Sequence, residues 1–259
     1  MTTLKESLTE AMQIMLDTVS RKEPDGITTG FPHFDQLVRG FHPRSLTVLA
    51  SRPSLGKTAF ALNIVRNLMG RKPETPVLYC SNLSSTELTF RLLTILSGVT
   101  CSFDHDLTAD ESVRLTETVE TIRDYPLSFA DSRSMNNGFF RKVAALQKKK
   151  HFGLIVIDPV GPENLPRLMK LSDELKVPVL VLVSIKKGTG YIPGAELADT
   201  VIHLHRDRME TKNEDSAPVC FVVFGLLCGT CRMKFIPQTM RFEDVPDIED
   251  NENEQEETR

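Results

Sequence analysis

Apolar residues recur along the chain with two different periods, and the alternation of those periods outlines a fold. Leu4, Leu8, Met12, Met15 and Val19 form one stripe at helical spacing across residues 3–21, ahead of the polar link Arg21-Lys22-Glu23-Pro24-Asp25-Gly26. The short apolar run Leu46-Thr47-Val48-Leu49-Ala50 predicts a strand. Phe60, Ala61, Ile64, Val65 and Leu68 then predict a helix beginning near Lys57. A second strand, Pro76 to Cys80, precedes a helix opened by the capping box Ser84-Ser85-Thr86-Glu87, and a second capping box, Thr108-Ala109-Asp110-Glu111, opens a helix that runs to about Arg123. After the strand Leu127 to Ala130, a helix carries Phe139, Phe140, Val143 and Leu146 on its inner face and ends in Lys148 to Lys150, cations that suit the negative end of its dipole.

The strand Gly153-Leu154-Ile155-Val156-Ile157-Asp158 follows, then a helix from about Pro166 to Leu175. The continuous apolar run Val177 to Ile185 predicts a strand buried on both faces. Strands at 200–204, 219–224 and 232–235 close the pattern. Alternating strand and helix units predict an α/β domain of three layers, a mainly parallel sheet with helices on both faces and antiparallel strands at one edge.

The candidate chemistry sits where the first strand meets its helix. Ser51-Arg52-Pro53-Ser54-Leu55-Gly56-Lys57-Thr58 reads as a phosphate-binding loop, with Ser51 where such a pattern usually begins with glycine. Backbone N–H groups at the helix start can hold phosphate oxygens, Lys57 can reach the β- and γ-phosphates, and the Thr58 hydroxyl can ligate Mg²⁺. Gly-Lys-Thr alone is a common chance tripeptide, so the context decides. The apolar strand ending in Asp158 supplies it: at the carboxyl end of a neighbouring parallel strand, that carboxylate can hold Mg²⁺ through water. Residues 51–58 with Asp158 therefore predict binding of ATP or ADP with Mg²⁺. The structural alternative is a chance turn and a capping aspartate.

Composition narrows the class. Forty per cent apolar residues in 259 can fill one core. No stretch approaches the roughly 20 apolar residues of a membrane span, and the start of the chain lacks the regions of a signal peptide, so a cytoplasmic protein without membrane partners is expected. The five cysteines, Cys80, Cys101, Cys220, Cys228 and Cys231, fall mostly in apolar strand patterns and predict buried thiols; Cys228 and Cys231 form half a zinc-site spacing with no second half. The net charge of −4 hides a split, because residues 243–259 hold nine acids and one arginine and leave the rest of the chain near +4. That segment is expected to be a disordered acidic tail. The mildly basic body permits contact with nucleic acid without demanding it.

These segments, in this order, resemble the C-terminal motor domain of the DnaB-type replicative DNA helicases, a branch of the RecA-like P-loop ATPases. The resemblance is carried by Gly26-Ile27-Thr28-Thr29-Gly30-Phe31 with Phe34-Asp35-Gln36-Leu37, by Ala50 to Thr58 including the absent first glycine, and by Glu174-Leu175-Lys176-Val177-Pro178-Val179. Glu196-Leu197-Ala198-Asp199 leading to His205-Arg206-Asp207, and Phe235 with Met240-Arg241-Phe242, extend it. It implies a RecA-like ATP-binding domain over residues 26–242, an amphipathic linker helix and link over 1–25 that docks on an adjacent subunit, and a ring, usually a hexamer, that moves single-stranded DNA.

The chain departs from that family at the positions that drive hydrolysis. Where the family has Ser-Leu-Glu, with a glutamate that polarises the attacking water, this chain has Ser81-Asn82-Leu83, and neither Asn82 nor Leu83 can accept a proton; no catalytic residue is assigned. Ser184 stands for the family's glutamine, and the Lys and Arg finger falls in the uncharged stretch Val222 to Cys228. The connections Pro159 to Glu163 and Lys186 to Ala195 are short where the family has longer loops that bind DNA, leaving Lys186, Lys187 and Tyr191 as remnants. Three readings follow: an ATP-binding protein of DNA replication with weak or lost activity, acting as a homo-oligomer or as a partner of a replicative helicase; an active helicase that uses Glu87 and Arg206 instead; or a RecA-type signalling ATPase.

Overall fold

A computed structural model of the chain describes residues 3–9, 12, 26–71, 74–100, 106–186, 192–206, 219–225 and 228–245. Expectations for Met15, Val19, the link 21–25, Cys101, Lys187, Tyr191 and residues 246–259 lie outside these. Nine strands form one sheet: β1 (Leu46–Ser51), β2 (Val77–Ser81), β3 (Leu127–Asp131), β4 (Leu154–Val160), β5 (Val179–Ser184), β6 (Thr200–Arg206), β7 (Val219–Phe224), β8 (Gly229–Ile236) and β9 (Arg241–Asp244). Their order is β3-β2-β4-β5-β1-β6-β7-β8-β9. Pairing is parallel from β3 to β6 and antiparallel from β6 to β9, the mixed RecA-like arrangement expected.

β1 and β2 are buried along their whole length, and β5 is buried up to its last residue, because helices cover both faces of the sheet there. α1 (Pro32–Val38), α2 (Lys57–Met69) and α3 (Ser85–Ser97) lie on one face; α5 (Asn137–Lys150) and α6 (Leu165–Leu175) lie on the other. α4 (Ala109–Ile122) packs outside α3 and has no buried residue. Under α1 and α2 the rings of Phe31, Phe34, Phe221 and Phe242 surround Phe60 at centroid distances of 4.6 to 5.4 Å. Near its start the chain is helical at Leu4 to Thr9, with Leu4, Leu8 and Met12 exposed at 76, 60 and 65%.

Three features differ from the sequence reading. The capping box at Ser84 is half formed: Ser84 Oγ accepts from the Glu87 N–H at 3.1 Å, but the Glu87 carboxylate turns to Arg91 at 2.7 Å instead of the cap. At Thr108 the box is complete. Two elements were not foreseen. α1 forms because Asp35 gathers the Thr29 N–H, the Thr29 hydroxyl and the Gly30 N–H at 2.7, 2.8 and 3.0 Å. β9 takes Glu243 and Asp244 out of the expected tail, since Asn63 accepts from the Phe242 N–H at 3.2 Å and Arg241 donates to the Ile95 and Leu96 carbonyls.

Among the described residues no helix is long and apolar enough to cross a membrane, and no group of three metal-ligating side chains is present. None of the four described cysteines is in a disulfide; Cys80 and Cys231 are buried, whereas Cys228 is exposed, against expectation.

Candidate phosphate-loop site

The carboxyl ends of the parallel strands are in register, with Ser51 beside Ser184 and Ser81 beside Asp158. From Ser51 the chain turns through Arg52, Pro53, Ser54 and Leu55 to Gly56, where α2 begins. Gly56 has φ of 99°, and a Cβ there would meet Phe242 Cζ at 3.2 Å, so backbone conformation and space both favour glycine. No side chain caps α2 and its first turn holds no acid, which leaves its leading N–H groups available to an anion.

Lys57 is 8% exposed, and its Nζ donates to Ser51 O and Ser51 Oγ at 3.1 Å and to Arg52 O at 3.2 Å. Burial lowers its pKa, opposed by the Asp158 charge. Thr58 Oγ1 donates to Asp158 Oδ2 at 2.6 Å, and the Tyr79 hydroxyl donates to the same oxygen at 3.2 Å. Burial pushes the Asp158 pKa up against those two bonds and the charges of Lys57 and Arg91, and the buried Tyr79 phenol is held well above its ordinary value.

Asp158 is not on the strand next to β1 as expected: β5 lies between them, and β4 runs two residues past Asp158 with an irregularity after Ile157. Thr58 still meets Asp158 because it stands beyond the loop, in the first turn of α2, and not on β1. Residues 51–58 and Asp158 thus form one cluster whose donors suit phosphate and whose hydroxyl and carboxylate oxygens suit a hard cation such as Mg²⁺. The residues fit the nucleotide and metal that the resemblance implies.

The hydrolytic positions are different in kind. Asn82 is exposed and accepts from Ser132 Oγ at 3.4 Å, the Leu83 N–H donates to Ser81 Oγ at 3.1 Å, and Ser184 is exposed at the end of β5. Of residues 222–228, those described carry no charge. Glu87 is engaged with Arg91. The Arg206 guanidinium lies 5.2 Å from the centre of the Phe235 ring, with its buried Nε unpartnered among the described residues, and Phe235 in turn packs on Phe242 at 4.7 Å. Sequence reasoning missed Tyr79. A tyrosine in an otherwise apolar buried strand was the available signal, because its hydroxyl requires a partner.

Residues 26–161, just over half of the chain, match the family model of the DnaB-like helicase C terminal domain. The chain belongs to this family. Among its relatives is the replicative DNA helicase DnaB of Geobacillus stearothermophilus, 26% identical over 259 residues, covering 85% of this chain and 57% of the relative. The chain spans little more than half the length of such relatives. The ATPase domain of G40P superposes with a TM-score of 0.78 at 19% identity, covering 94% of this chain and 99% of that one. A DnaB-like replicative helicase whose structure was solved with its interactions with primase gives 0.80 at 19% identity, covering 95% of this chain and 68% of that one. At those identities the two structures speak for the fold, a RecA-like ATPase domain.

Proposed function

We propose that this DnaB-like chain binds Mg²⁺ with ATP or ADP through residues 51–58 and Asp158, and that occupancy by nucleotide rather than turnover is its working property. The observation that carries the reading is the Thr58–Asp158 bond beside Lys57. The binding groups are already in mutual reach, while the positions for hydrolysis hold Asn82, Leu83 and Ser184. In the bound state Lys57 would exchange Ser51 and Arg52 for β- and γ-phosphate oxygens. Thr58 and Asp158 would separate and hold Mg²⁺, the first directly and the second through water. The metal would supply positive charge across the phosphates.

An oriented general base is worth about 10²- to 10⁴-fold and an arginine finger about 10³- to 10⁵-fold, so a chain without either turns over slowly even though the two need not multiply. The active-helicase alternative would need Glu87 and Arg206. The geometry speaks against both, since one is paired with Arg91 and the other lies on its own Phe235. We further propose a cytoplasmic role in DNA replication as a regulator, a decoy subunit or an assembly partner of a replicative helicase. Self-association, up to a hexameric ring, would run through the exposed Leu4, Leu8 and Met12 stripe of a linker segment at 1–25. Residues 26–244 would form the ATP-binding domain, and the acidic remainder would stay solvated. Single-stranded DNA would have only a weak hold, because the connections after β4 and β5 are short.

Titration of wild-type and Lys57→Ala chains with Mg-ADP tests the site: affinity at residues 51–58 is expected to fall roughly 100-fold in the second. Equal affinity in a folded variant would remove the reading.

A further inference from the structure

A second crevice opens at the same edge of the sheet, on the far side of β4 from the loop after β1. The helix after β2, α3, packs on one face, whereas the helix after β3, α5, packs on the other. Where neighbouring parallel strands send their connections to opposite faces, the chain parts above their carboxyl ends and leaves room for a ligand. Here the space is a cavity of about 420 Å³. None of residues 51–58 nor Asp158 lines it, and β4 and β5 separate β2 from β1. At about 4.8 Å per strand the loop after β1 lies roughly 15 Å off, while Asp158 on β4 is adjacent, its carbonyl accepting from the Asn82 N–H at 3.3 Å.

The chemistry of the cavity is one-sided. Leu83, Leu88, Phe129 and Ala130 give it an apolar wall that suits a flat ring. Its rim carries donors around the Asp131 carboxylate. Lys142 makes no hydrogen bond or ion pair among the described residues, although its charge acts on Asp131 and Cys80. Arg133 is held against Asp131, with Nε 2.9 Å from Oδ2, which neutralises that carboxylate and leaves Lys142 as the uncompensated charge. Ser84 Oγ accepts from Glu87 N–H and so keeps its own hydrogen for a ligand, while Asn82 uses its oxygen on Ser132 and keeps its amide N–H groups. Asn82 also occupies one of the two positions where the resemblance places a glutamate. A carboxylate there would repel an anion, and the amide can donate to one.

We propose that the crevice between β2 and β3 binds a second nucleoside phosphate, with the phosphate on Lys142, Ser84 and Asn82 and the base against Phe129. The source is a free nucleotide or one residue of a single strand. This site does not depend on the phosphate-loop reading, and the test keeps the two apart.

Equilibrium dialysis of ADP, and separately of a short oligothymidylate, against the full chain reads both. Wild type is expected to hold ADP at two sites per chain, and Lys57→Ala and Lys142→Glu at one each. Lys142 is exposed, so its exchange should not unfold the domain; Ser85→Asp, which adds charge at the rim, serves as the second variant. Each is expected to weaken the crevice site about tenfold or more, the order of a lost charge-assisted hydrogen bond. Loss of oligothymidylate binding alone in these variants would identify the strand as the source and still support the site. One ADP per wild-type chain, with ADP and oligothymidylate affinities unchanged in Lys142→Glu and Ser85→Asp, would overturn it, whatever Lys57→Ala shows.

Discussion

Two halves of one sheet edge, the loop after β1 and the turn after β2, have kept very different amounts of polar order. At the first, Lys57 is buried with three hydrogen bonds, and Asp158 is 6% exposed with two. At the second, the Asn82 side chain is exposed and makes one long bond, to Ser132. The contrast is what physical cost would produce. Removing one partner of a buried polar network orphans the others at about 1–3 kcal/mol each, whereas an exposed side chain can change with little effect on the fold. On the proposed reading, nucleotide binding and turnover draw on different residues, so one can persist while the other fades.

The comparison can be broken or sharpened by mutation. The largest effect is expected from Phe60→Ala, which removes the ring at the centre of the cluster beneath the loop. A loss of about 3–5 kcal/mol in denaturant unfolding is expected, and a loss under about 1 kcal/mol would mean that the loop does not rest on this core. Lys57→Ala should weaken Mg-ADP by roughly 100-fold while circular dichroism stays native, since it deletes a charged donor to phosphate.

Asp158→Asn addresses the charge in the ordered half. Burial raises the folded pKa of Asp158 above its ordinary 3.8, so the native state favours the protonated form. The contribution of this group to stability is full below 3.8 and is lost as pH rises through the folded pKa. The asparagine variant escapes that loss. Its stability relative to wild type, measured by unfolding without nucleotide, should therefore be higher at pH 7 than at pH 3.5, and the Mg²⁺ dependence of nucleotide affinity should shrink. A relative stability that falls toward pH 7 would reverse the sign. The smallest effect belongs to the other half: Asn82→Glu or Leu83→Glu should raise hydrolysis by less than about tenfold, because groups that act as a unit do not restore activity singly. A gain of about 10³-fold, within the worth of a positioned general base, would show that the rest of the machinery is intact.

Much of this was legible in the sequence because burial imposes period. Phe60, Ile64 and Leu68 marked α2, and the unbroken run through Val179 to Val183 marked a strand covered on both faces. The turn from Ser51 to Gly56 between strand and helix was legible from residue type and order alone. What escaped depended on distant partners. α1 is seven residues long and rests on the bonds Asp35 makes to Thr29 and Gly30, and β9 is four residues held by Asn63 of α2 and by the bonds its own Arg241 makes to α3. Glu87 had two suitors, its own cap and Arg91, and the spacing of four residues favoured the second as much as the sequence favoured the first. The strand β5 inserted between β1 and β4 is a matter of topology, which strand patterns along the chain do not fix.

The most direct test of the central claim is phosphate release by the wild-type chain at saturating Mg-ATP, with and without single-stranded DNA, on protein shown by titration to have nucleotide bound. Full occupancy with a rate far below about 1 s⁻¹, the low end of ordinary enzyme turnover, and little stimulation by DNA is the expected result. Turnover at about 1 s⁻¹ or faster, rising clearly with DNA, would contradict the separation of binding from hydrolysis and make the chain a working motor.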